Sequence, residues 1–160
     1  MVARDRVRFS GLLALGMANA ILLVFANWLS IWDFRSLKTW DLASITVEFL
    51  LAISMFLICA WLGPRTDEGE IDLEEFFWRQ RPYFYGALLA TFVLSLLVNL
   101  DFLKTVNVAL FVRQNLTVLP MLILSLLGLL SRRRWIQWAA GFCLLAMVIG
   151  YTIAFYSTLS

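Results

Sequence analysis

The run VNVALFVRQNLTVLPMLILSLLGLL, residues 106–130, decides the fold. As a helix it is long enough to cross a bilayer, which takes about 20 residues. Yet Arg113, Gln114 and Asn115 stand side by side in its first half, and Pro120 follows them. Counted as a crossing, the run is one of five and puts the chain ends on opposite sides.

Composition supplies the criterion. Of 160 residues, 62% are hydrophobic and 15% charged, with a mean hydropathy of +0.84. Soluble domains are about 45–50% apolar and about 25% charged, so this chain has too little polar surface to coat a globule in water. It reads as an integral membrane protein, and residues 106–130 read as a crossing. Four more runs have the required length, at about residues 10–32, 42–63, 83–103 and 135–158. The expected fold is all-α: one domain over residues 1–160, a polytopic bundle of five transmembrane helices. The start of the chain imitates a signal peptide, with arginines, an apolar run and the small residues Ala18 and Ala20. The apolar run continues through ILLVFANWL, so this segment is read as a retained helix.

Orientation follows from Lys and Arg on alternate sides. One side receives Arg4, Arg6, Arg8, Arg65, Arg79, Arg81, Arg132, Arg133 and Arg134; the other receives Arg35, Lys38 and Lys104. Nine against three places the N-terminus in the cytoplasm and the C-terminus outside, in a plasma membrane, with a bacterial inner membrane the first expectation. Trp28, Trp32, Trp40, Tyr151 and Tyr156 fall at the outer interface; Trp61, Trp78, Tyr83, Trp135 and Trp138 fall at the inner one.

Depth then gives the polar residues a place. Arg113 lies about 10 Å inside the outer end of its span and Glu48 about 9 Å inside the outer end of span two, at 1.5 Å per residue. Charges at matching depth are expected to pair, because an isolated one costs about 2.5–3.5 kcal/mol at mid-bilayer. Asn27, Asn99, Asp101, Gln114 and Asn115 fall in the same outer half, whereas the inner halves of the spans are nearly all apolar. Pro120 removes the donor for the Leu116 carbonyl and is expected to kink span four where its polar half ends. This cluster is either a structural ion pair that fixes helix assembly or a ligand or transport site. The structural reading is placed first.

The longest soluble stretch is PRTDEGEIDLEEFFWRQRP, residues 64–82. Asp72 with Glu75 makes an aspartate variant of the capping box, Ile71 and Phe76 stand at the staple positions, and Glu75 and Arg79 are four apart in the favourable order. A short interfacial helix is expected from about Leu73, with Pro82 opening span three. Glu70, Asp72, Glu74, Glu75 and Arg79 form a candidate cytoplasmic docking surface, for a partner or for the SRRR loop at residues 131–134.

Other chemistries find little to stand on. Histidine is absent, no metal, phosphate or nucleophile motif is present, and no cofactor is expected. Cys59 and Cys143 read as buried small side chains. The charges form no basic face, which excludes nucleic acid as a partner. No internal repeat is visible, which disfavours a two-repeat transporter. The expected partners are the lipid bilayer and other membrane subunits or copies of itself. The first reading is a non-enzymatic accessory or assembly subunit of a membrane complex. The alternative is a small oligomeric transporter or channel that uses Glu48, Arg113, Gln114 and Asn115.

Overall fold

The computed structural model describes residues 8–31, 42–63, 72–102 and 108–156; within them, the side chains of residues 31, 100–102, 108, 110, 111, 113, 114, 155 and 156 are outside the description. The described residues form five helices: α1 (Gly11–Ile31), α2 (Leu42–Leu62), α3 (Leu73–Phe102), α4 (Val108–Leu130) and α5 (Arg134–Tyr156). Four of them are long and apolar enough to cross a membrane. In α4 the described side chains make a shorter apolar stretch, Asn115–Leu130.

Local signals place the helix starts. Ser10 Oγ accepts from the Leu13 amide at 3.3 Å and opens α1. Asp72 Oδ1 accepts from the amides of Glu74 and Glu75 at 2.9 and 3.1 Å and opens α3. Ser131 Oγ accepts from the Arg133 amide at 3.2 Å in the short turn that leads into α5.

The helix at Leu73 is not a separate interfacial piece. It runs through Pro82 and joins the third span as one helix of 30 residues. Glu74, Glu75, Arg79, Gln80 and Arg81 favour the helix, no glycine interrupts them, and a proline there removes one donor, that for the Trp78 carbonyl. The cost of one bond is too small to break a helix capped at its start and packed along its length.

Packing follows chain order. α1 packs on α2, α2 on α3, α3 on α4 and α4 on α5, and α5 closes back onto α1, which also reaches α3. The core between them includes Leu12, Ile58, Leu62, Phe84, Leu88 and Leu144. The outer surface is equally apolar: Ile21 of α1, Phe56 of α2 (69% exposed), Val93 of α3, Ile123 of α4 and Ile153 of α5 all face outward. A water-soluble monomer rarely presents so continuous an apolar exterior, and the arrangement is compatible with a membrane protein.

With an apolar surround, close contact and hydrogen bonds must hold the helices together. Gly16 meets Leu62 and Phe84, Gly141 meets Leu15, and Gly128 lies directly under the Tyr85 ring. Cys59 and Cys143 are exposed on the outer surface, contrary to the burial expected of them. Their apolar flanks identify an apolar surround, and in a bundle coated this way the outside satisfies that as well as the core does.

Candidate functional site

Two polar regions can be distinguished. The first lies where the start of α1, the end of α2, the start of α3 and the α4–α5 turn meet. α4 ends at Leu130 without a glycine cap, so its last carbonyls need donors from elsewhere. Arg81, 6% exposed, donates from Nη1 to the Gly128 carbonyl at 3.0 Å and also to the Ser131 carbonyl. Gln137, 1% exposed, donates from Nε2 to the same two carbonyls at 2.8 and 2.6 Å. A guanidinium at the negative end of the α4 dipole is favourably placed. The ring of Trp78 lies 5.8 Å from the Arg81 guanidinium carbon, and Trp61 stacks on Tyr83 at 4.7 Å nearby.

Ion pairs lie across this end. Arg8 meets Asp72 at 3.2 Å, and its carbonyl accepts from the Leu73 amide at 3.2 Å, which forms an isolated bridge between the two segments. Arg134 meets Glu74 at 3.4 Å, so the α4–α5 turn contacts the start of α3. The amide of Glu75, then that of Glu74 and the guanidinium of Arg8, outweigh desolvation and hold the Asp72 carboxyl below its ordinary range. Glu75 and Arg79 are exposed, and Glu70 lies outside the described residues.

The second region is the opposite half. A hydrogen bond of 2.8 Å between the Ser54 and Thr91 hydroxyls fixes the register of antiparallel α2 and α3. Six residues before Ser54 is Glu48, and six after Thr91 is Leu97, so Glu48 lies near the level of Asn99. Asn99 Nδ2 donates to Asn115 Oδ1 at 3.1 Å and ties α3 to α4. Glu48 is half-buried, and its Oε1 has no hydrogen-bond partner among the described residues. Among the described residues α2 and α4 each pack on α3 and not on one another. The side chains of Asp101, Arg113 and Gln114 lie outside the described residues, so the expected Glu48–Arg113 pair does too. Asn27 is half-buried, and its carbonyl accepts from the Ser30 hydroxyl at 2.7 Å. Pro120 is exposed, and α4 continues through it.

Between the two regions, Asn19 donates to the carbonyls of Leu15 and Gly141 at 2.9 and 3.0 Å and joins α1 to α5. Sequence reasoning missed Asn19, Arg81 and Gln137. Arg81 was counted only as a topology charge, and the signal available was a helix ending without a glycine, followed by a polar residue one turn into the next apolar run.

Chemically, the buried polar side chains act partly between helices, through Asn19, Arg81, Gln137 and the Ser54–Thr91 bond, and partly within one, through Ser10 and Ser125. Ser10, Asn19, Ser54, Arg81, Thr91, Ser125 and Gln137 are buried, and each bonds to the main chain. Among the described residues no group of His, Cys, Asp and Glu is gathered for a metal ion. The fold and site define an all-helical bundle whose helices are joined by buried polar bonds. Compared with family models, curated proteins and solved structures, the chain matches none.

Proposed function

We propose that the chain is a multi-pass membrane protein with five crossings, its N-terminus cytoplasmic and its C-terminus outside, acting as a non-catalytic accessory or assembly subunit of a membrane complex. The observation that carries this reading is the use of its buried polarity: among the described residues each of the seven buried polar side chains bonds to main chain, and three of them, Asn19, Arg81 and Gln137, do so on a neighbouring helix. A bundle that commits these groups to its own cohesion serves best as a rigid body for other subunits. The arginine-rich end is then the cytoplasmic face, and Glu70, Asp72, Glu74, Glu75 and Arg79 offer that face to a partner.

The test is isolation of the tagged protein from its own membranes in mild detergent, with stoichiometric mass spectrometry of what accompanies it. A heterologous partner at fixed stoichiometry is expected. Self-assembly alone, with ion or solute flux that disappears in Glu48→Gln, would overturn the reading in favour of an oligomeric transporter or channel. Glu48 is what favours that alternative: a half-buried carboxylate oxygen without a described partner, near the level of the Asn99–Asn115 bond. Intramembrane ionisable groups of this kind commonly serve function.

A further inference from the structure

The α4–α5 turn carries charges that no described residue engages. Arg134 is engaged by Glu74 and Arg81 is buried beneath the turn. Arg132 and Arg133 are exposed, and neither side chain enters an ion pair or hydrogen bond among the described residues. α5 starts at Arg134 with no acidic residue in its first turn, so the positive end of its dipole adds to the same field. On either side of the arginines stand large apolar side chains that face outward, Leu130 at 72% exposure and Trp135 at 65%.

Unengaged positive charge beside exposed apolar surface fits an anion that carries its own apolar tail. A free anion would meet the arginines alone, whereas Leu130 and Trp135, part of the apolar exterior, lie where the chains of a lipid held by those arginines would run. Of the described carboxylates at this end, Asp72 is engaged by Arg8 and Glu74 by Arg134, and Glu75 is exposed and makes no ion pair with Arg132 or Arg133. We propose that Arg132 and Arg133 bind the phosphate of an acidic phospholipid, whose acyl chains lie along Leu130 and Trp135. The proposal rests on the membrane reading above and adds a ligand class to it.

The full-length protein is purified in mild detergent, phosphatidylglycerol or phosphatidylcholine is titrated in, and bound lipid is counted by native mass spectrometry. Phosphatidylglycerol should bind the wild type in preference to phosphatidylcholine. Arg132→Gln/Arg133→Gln should bind it about thirtyfold more weakly, each arginine near an anionic lipid being worth about fivefold. The thermal midpoint of the double variant should stay near the wild-type value.

Equal affinity in the wild type and the double variant would overturn the proposal and leave the chain's own acidic residues as partners for these arginines. Displacement by inorganic phosphate as readily as by phosphatidylglycerol would also overturn it, in favour of a free-anion site. Carbonate extraction of native membranes separates the two layers. A protein that resists extraction yet shows no lipid preference loses only this proposal, and one released by carbonate loses the membrane reading as well.

Discussion

At the arginine-rich end, Arg81 and Gln137 converge on the last carbonyls of α4, and ion pairs join α3 to both neighbouring segments. In the opposite half the described links are of another kind: the side-chain amides of Asn99 and Asn115 bond to one another, and a carboxylate oxygen on Glu48 has no partner among the described residues. Both regions place polar groups among apolar helices, yet in the first the acceptors are main-chain carbonyls that the helix itself leaves open. Such acceptors exist wherever a helix ends. In the second, side chains must find one another, and their bonds depend on which helices are neighbours.

The largest effect should come from the first region. Arg81→Met removes a charged donor from two carbonyls and should lower stability by about 2–3 kcal/mol, read as a fall in the detergent unfolding midpoint. A variant as stable as the wild type would mean that Gln137 caps α4 alone. Gly128→Ala comes next: the Tyr85 ring occupies the place of the added carbon, and overpacking there should cost about 1–3 kcal/mol. Gly86→Ala on α3 meets nothing within 4 Å and should gain up to about 1 kcal/mol of helix propensity. The difference between these two midpoints measures how tightly α3 and α4 are packed at this end.

Glu48→Gln tests the other side of the contrast. Removing a charge that lacks a described partner should leave the folded yield equal or higher, with stability changed by less than about 1 kcal/mol. If the yield drops and the swap of Glu48→Arg with Arg113→Glu restores it, the two regions are built alike and the ion pair expected from depth is real.

The smallest effect belongs to Asp72. Its carboxyl is depressed in the folded protein, so its contribution is present above the ordinary carboxylate range and is lost as pH falls through the lowered value. The midpoint difference between wild type and Asp72→Asn should therefore be seen at neutral pH and shrink on acidification. A difference that persists at low pH would assign the effect to packing.

The helices were legible because apolar run length is a property of each segment alone. α1, α2, α4 and α5 begin and end within about two residues of their runs, and the Asp72 cap lay where the sequence spacing put it. The continuation through Pro82 was hidden because a proline marks both a first turn and a tolerated interior position. The outward-facing cysteines were hidden because hydropathy does not distinguish the core from an apolar exterior. Asn19, Arg81 and Gln137 matter through contacts with carbonyls of other helices. Those acceptors are identified only by three-dimensional neighbourhood, as in the bond from Asn19 to Gly141, 122 positions away.

That last bond sets an order on biogenesis. Of the five described helices α1 leaves the ribosome first, and the helix that engages its Asn19 is made after the other four. Until α5 arrives, the Asn19 amide has the Leu15 carbonyl of its own helix and not yet that of Gly141. Closure of the ring is therefore a late event in synthesis, and the nascent chain passes through a stage with four helices in place and a seam still open along the first.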